Sequence, residues 1–154
     1  MRQLKFLAAA IIMMMTACSG LEGRLSRRAA VLSAHVPDLE NLESSRRYLE
    51  SDFYSVLDTL VNLPEGEAMD HEWCHFFVTY DGTPICRMKS RVLRVVVTDD
   101  RHAVATIQVR NDYDELEEHS LYMQKVGRKW LLSDFDEHKQ NCSRHIAIAL
   151  KLQH

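Results

Sequence analysis

Glycine is scarce and scattered, with five residues in 154. That excludes a glycine-rich phosphate loop, which needs several glycines close together so that backbone N–H groups can face the ligand. No block of like charge stands out among 19 basic and 22 acidic residues, so the linear basic stripe of a nucleic-acid-binding chain is missing. Internal repeats and low-complexity tracts are missing as well. The aromatic and β-branched content is too high for a disordered chain. What remains is a chain able to fold, whose clearest signal lies at its start.

Arg2 and Lys5 give a positive beginning, Phe6 to Met15 is unbroken apolar, and small residues precede Cys18. This is the order of a secretory signal. The apolar run falls short of the roughly 20 residues that a bilayer span needs. Because the cysteine follows the small pair directly, Met15-Thr16-Ala17-Cys18 resembles the cleavage box of a bacterial lipoprotein signal, with Met15 where that signal usually carries Leu. The resemblance implies cleavage before Cys18 and acylation of its sulfur. An ordinary signal cut elsewhere, or an uncleaved anchor, fits the same stretch. Loss of residues 1–17 leaves 137 of the 154 residues and removes Arg2 and Lys5, so 17 basic residues face 22 acidic ones. That length makes one domain, able to bury roughly two thirds of its unfolded surface.

Acylation of Cys18 leaves Cys74, Cys86 and Cys142. In an oxidising compartment two of them are expected to pair, and sequence does not say which. A Cys86–Cys142 bridge would close a loop of about 56 residues, worth about 4 kcal/mol on the chain-entropy account. Three buried free thiols are the alternative.

Ser19 to Arg24 is small and polar and reads as a tether, with Glu22 its only acidic residue. Leu25, Ala29, Leu32 and Val36 recur at helical spacing until Pro37. Asp38 can cap a longer helix, whose stripe is Leu39, Leu42, Leu49, Phe53, Val56, Leu57, Leu60 and Val61. Ser51-Asp52 is a point where it can divide in two, and Asn62 and Pro64 stop it. Phe76 to Tyr80 reads as a strand, Asp81-Gly82 as a hairpin turn, and Ile85 to Met88 as the returning strand. Val92 to Thr98 is a strand, followed by a turn at Asp99-Asp100. Ala103, Ala105, Ile107 and Val109 alternate with polar residues, and so do residues from Glu118 to Val126, with Leu121 and Met123 opposite Tyr122 and Gln124. Gly127-Arg128 turns the chain into Trp130 to Phe135. A helix after Asp136 carries Cys142, Ile146 and Ala149 on one side.

The fold class is α+β: an N-terminal amphipathic helix packed on a curved antiparallel sheet of at least four strands, with a short C-terminal helix. The long helix, the strand-rich second half and the closing segment Gly127-Arg128-Lys129-Trp130-Leu131-Leu132-Ser133-Asp134-Phe135 resemble the nuclear-transport-factor-2-like superfamily, with its cystatin-like cone, over Asp38 to Phe135. Within it, the chain is similar to small bacterial lipoproteins of uncharacterised function. The resemblance implies a cone-shaped sheet wrapped round a helix with a pocket at its open end. Some relatives are isomerases or dehydratases, while many only bind or dimerise. No catalytic motif of those enzymes maps onto this chain. The helix after Phe135 departs from relatives that end at the last strand, and it is placed to plug the pocket.

The sharpest chemical motif is His71-Glu72-Trp73-Cys74-His75. On a helix, two histidines four apart can hold zinc while the glutamate activates water. Pro64 and Gly66 upstream and the strand-like run downstream oppose a long helix, and Val78 stands where the extended motif requires Gly. A structural metal site drawn from His71, Cys74, His75, Cys86, Cys142 and His145 lacks the two tight ligand pairs that such sites show. Neighbouring strands place His119, Tyr122, Asp134 and Trp130 where they can line a pocket, although Trp130 suits the core and Asp134 or Asp136 suits a helix cap.

Taken together, residues 1–17 are read as a lipoprotein signal peptide, 18–37 as a lipidated tether with a short helix, and 38–154 as one cone-like domain. The expected protein is a non-catalytic ligand- or protein-binding module, lipid-anchored in the bacterial cell envelope on the outer membrane facing the periplasm. Its expected partners are the membrane itself and an envelope protein or small apolar ligand, with no nucleic acid, metal or cofactor. The alternative is a small pocket enzyme of isomerase or hydrolase type or, less well supported, a zinc hydrolase using His71, Glu72 and His75. Replacement Cys18→Ala is expected to release the protein from membranes. Continued membrane retention after signal cleavage, read by fractionation, would refute the anchor.

Overall fold

The computed structural model describes residues 20–63 and 76–152. Residues 20–33 form helix α1. A 3-10 helix, Leu42–Tyr48, and helix α2, Ser51–Val61, follow. After a short 3-10 turn at Ile85–Arg87 come four strands: β1 Ser90–Val97, β2 His102–Arg110, β3 Leu116–Val126 and β4 Lys129–Phe135. Helix α3, His138–Leu152, closes the described chain. The strands pair antiparallel in sequence order, β1-β2-β3-β4, so the fold is an open meander with helices before and after it.

Period-two alternation fixes which face is dry. Ala103, Ala105, Ile107 and Val109 of β2 are buried. Their register partners are Val97, Val95 and Val92 on β1 and Met123 and Leu121 on β3, all on the same face. The helices cover that face. Leu25, Ala29 and Leu32 of α1, Phe53, Leu57 and Leu60 of α2, and Cys142 of α3 join the strand residues in one core. The opposite face carries Thr106, Gln108, Ser120, Tyr122 and Gln124, half-buried by their own neighbours. Register shifts at Val92/Arg94 and Tyr122/Met123 mark bulges, which bend the sheet. Gly127, at φ +60, makes the β3–β4 turn that a residue with a Cβ would enter under strain.

Helix α1 begins earlier than the sequence suggests. Residues 20–24, expected as tether, are already helical, because Leu21 extends the Leu25, Ala29, Leu32 stripe by one turn and packs at the edge of the core.

The long helix expected from Asp38 to Val61 is divided, at Leu49-Glu50 rather than at Ser51-Asp52. Both residues are extended, and Glu50 donates its N–H to the Leu132 carbonyl at 2.8 Å, beside a parallel bridge between Leu49 and Leu132. The Glu50 carboxylate then accepts from Asp52 N at 3.0 Å and Phe53 N at 3.2 Å, which satisfies two N–H groups left orphaned at the start of α2. Burial alone would push this carboxyl up. The Asp52 N–H, the Ser51 hydroxyl, the Phe53 N–H and the Lys139 ammonium outweigh it and hold the group below 4.5.

Phe76 to Tyr80 and Ile85 to Met88 are not a hairpin of the sheet. Phe77 sits at φ +64, which breaks the extended backbone, and only Val78 and Pro84 form a bridge. The Asp81-Gly82 turn itself is present, with Gly82 at φ +85 and its N–H donated to the Thr79 carbonyl.

Replacement Glu50→Ala is expected to cost about 1–3 kcal/mol of stability at pH 7, because two helix N–H groups lose their acceptor. A depressed carboxylate stabilises fully above its unfolded value and loses that share as pH falls below it. Urea midpoints of the two proteins should therefore converge in acid below 4.5. Equal midpoints at pH 7 would refute the role.

Candidate functional site

The dry face of β3 does not stay apolar. Glu117 and His119 share the parity of Leu121 and Met123, so they project from the core side where the helices no longer cover it fully. The side chain of His119 is only 12% exposed. Its Nδ1 lies 2.6 Å from Asp136 Oδ2, and its ring stacks on Phe135 with centroids 5.3 Å apart. Nε2 is buried with no hydrogen-bond partner, 3.5 Å from Glu117 Oε2. Glu117 is itself held by Asn111 Nδ2 at 2.7 Å and by the Tyr80 N–H. An imidazole that donates Nδ1–H to a carboxylate presents Nε2 as a proton acceptor, the arrangement a general base needs. No nucleophile among the described residues is hydrogen-bonded to that nitrogen.

Asp136 is fixed from three sides. Its Oδ1 accepts the Ser120 N–H at 2.6 Å, its own N–H donates to the Ser120 carbonyl, and Oδ2 meets His119. These bonds hold Asp136 at φ +47 and Glu137 at φ +61, a left-handed corner that non-glycine residues rarely adopt. Such strain persists only where the surroundings over-determine it, and it gathers at functional sites. Beyond the corner, Asp134 Oδ1 accepts the Lys139 N–H at 2.9 Å and so caps α3. Burial pushes the Asp134 carboxyl up, and the Lys139 and Phe135 N–H groups offset part of that rise. His138 stacks on Phe76 at 4.4 Å and lies against Phe77 and Phe135. Burial lowers its affinity for a proton, against the pull of Asp136 and Asp134.

The residues singled out in the sequence do not converge. Tyr122 is on the opposite face, donating to Glu137 at 3.0 Å. Trp130 is at the far end of β4, half-buried, with its carbonyl accepting from Arg28 Nε at 2.7 Å. Glu117, Asn111 and the His119–Asp136 pair were not foreseen, although carrying the β3 alternation back from Leu121 would have put Glu117 and His119 on the core face. Cys18, His71, Glu72, Cys74 and His75 lie outside the described residues. The Cys86–Cys142 bridge, one of the pairings the sequence left open, is not formed, and both cysteines are free. Loop-closure entropy weighs a bridge once formed but does not say where two side chains land. Cys86 falls on the turn after Pro84, and Cys142 faces the core from α3. Burial pushes the Cys142 thiol up to about 12 and raises that of Cys86. Among the described residues no group of three or more His, Cys, Asp or Glu side chains is placed to hold a metal ion. No described helix is long and apolar enough to cross a membrane.

A separate cleft of about 500 Å3 opens between the Pro37–Glu40 segment and the Phe76–Val78 segment. Its lining is mixed: Pro37, Leu39, Phe76, Phe77, Val78 and Pro84 are apolar, while Asp38, Glu40 and Arg87 are charged. Arg87 and Asp38, paired at 2.8 Å, supply charge at one side. The cleft lining includes none of Glu117, His119 and Asp136. No protein-family model matches the chain, nor does any curated protein or solved structure.

A histidine whose folded pKa is lowered costs stability where the unfolded chain takes up the proton, so stability falls as pH drops through 6.5. Replacement His138→Phe keeps the ring stack and removes the proton site. The variant is expected to lose less stability than the wild type between pH 7.5 and 5.5 in urea titrations. An unchanged pH dependence would show that His138 is not a source of it.

Proposed function

We propose that the protein is a lipid-anchored binding module of the bacterial cell envelope, tethered through Cys18, that takes a small, largely apolar ligand in the Pro37–Arg87 cleft. The observation that carries this reading is the cleft itself. It has about the volume of a small-ligand site, six apolar residues in its lining, and one ion pair able to orient a polar end. A cone of the nuclear-transport-factor-2-like kind, with a pocket at its open end, is the architecture this reading favours. The open four-stranded sheet covered by helices on one face is compatible with it.

The rival reading is an isomerase or hydrolase, and it draws on the His119–Asp136 pair with its unpartnered Nε2. It is the weaker of the two, since neither His119 nor Asp136 lines that cleft and no nucleophile among the described residues is hydrogen-bonded to Nε2.

Native mass spectrometry of the full chain, extracted from membranes in a neutral detergent, tests the proposal. The wild type is expected to carry an added organic mass that Leu39→Asp loses while keeping its thermal transition. Bare protein mass in both, or a mass retained by Leu39→Asp, would overturn the cleft as the binding site. Loss of that mass on His119→Gln instead would favour the rival.

A further inference from the structure

Arg28 of α1, Arg47 and Tyr48 of the first 3-10 helix, and Arg128, Lys129 and Trp130 of the β3–β4 hairpin line a second cavity of about 440 Å3. Four cations converge there in a chain whose formal net charge is −3. Other arginines pair with carboxylates: Arg46 with Glu43, Arg87 with Asp38, Arg110 with Asp114. None of these four cations forms an ion pair among the described residues.

Neutral groups hold the two nearest guanidiniums instead. Arg28 Nε donates to the Trp130 carbonyl at 2.7 Å, and Arg47 Nη2 donates to the Tyr48 hydroxyl at 2.8 Å. Both lie over the Tyr48 ring, at 5.8 and 4.8 Å from its centroid. That ring is stacked on His35 at 3.6 Å, within 6° of parallel. The forks are thus positioned without being neutralised, and each keeps donors unspent.

We propose that Arg28, Arg47, Arg128 and Lys129, gathered round Tyr48 and Trp130, form a binding site for a phosphate group. Converging like charges repel one another, and a multivalent anion removes that repulsion while filling the open guanidinium donors. Phosphate suits the site better than chloride, because a planar fork reads two oxygens at once. Two sources can present the group. One is the head group of an anionic phospholipid: Arg28 is eight residues, about 12 Å of helical rise, from Gly20, which places the site near the bilayer if Cys18 is acylated. The other is a soluble phosphoryl compound. The site itself does not depend on the cleft proposed above.

The test uses the full chain in maltoside micelles at constant ionic strength. Inorganic phosphate, but not chloride, is expected to raise the thermal midpoint and change Trp130 fluorescence. The double variant R47Q/K129Q, exposed at both positions, is expected to weaken phosphate binding by about tenfold or more. His35, held below 6.5 by burial and by the charges of Arg47 and Arg28, is expected to titrate at a higher pH once phosphate neutralises them. Micelles doped with phosphatidylglycerol, compared with diacylglycerol, separate the sources. Binding that phosphate displaces supports the head group, and a response to phosphate alone supports the soluble compound. An equal response to chloride, or an undiminished response in R47Q/K129Q, would overturn the site.

Discussion

The fold depends on how Glu50 is held. Its N–H bonds the Leu132 carbonyl at the free edge of β4, its carboxylate caps α2, and the same carboxylate lies 3.9 Å from the Lys139 ammonium of α3. One residue therefore sets where the helical layer meets the sheet, through its backbone, and where α2 starts and how α3 leans on it, through its carboxylate. The geometry also explains why the helix divides. A continuous helix would leave Leu132 without its partner on an exposed strand edge, a feature folded proteins avoid. Two extended residues with full hydrogen bonding replace one helical turn, and the buried carboxylate is kept ionised by the donors around it.

A second constraint, the left-handed corner at Asp136-Glu137, turns β4 into α3 and creates the polar end of the inner face. The chain can hold that corner because Ser120 and His119 grip Asp136 on both its backbone and its carboxylate. What results is a histidine between two carboxylates against an aromatic wall of Phe135, Phe76 and Phe77. The components of proton transfer are present, and Phe76 and Phe77 of that aromatic wall also line the cleft that could receive a ligand.

Much of the second half was legible in the sequence because alternation is a local property. Ala103, Ala105, Ile107 and Val109 announce their dry face without reference to the rest of the chain, and Gly127 announces its turn. The departures arise where tertiary contacts override local pattern. Leu49 belongs to a helical stripe by spacing yet leaves the helix for a bridge to Leu132. Phe76 to Tyr80 has strand composition, but the positive φ of Phe77 directs its ring against Phe53 and Phe135. Glu117 and His119 were legible in principle, since polar residues on the dry parity of a strand mark a place where the core gives way to a site. The pairing of His119 with Asp136 was not, because seventeen residues and a turn separate them.

Charge shows the same limit more sharply. Read along the chain, Arg28, Arg47, Arg128 and Lys129 are ordinary solvated positions with no basic block to connect them. Folding gathers them because the core stripe of α1 turns Arg28 toward β4, while the Leu49–Leu132 bridge brings the Arg47-Tyr48 pair to the same strand. Each adds to the positive field on the others in the absence of a counter-charge. A ligand that binds only the folded state returns RT ln(1 + [L]/Kd) to it. Four converging cations with open donors offer an anion a hold that a neutral surface would not.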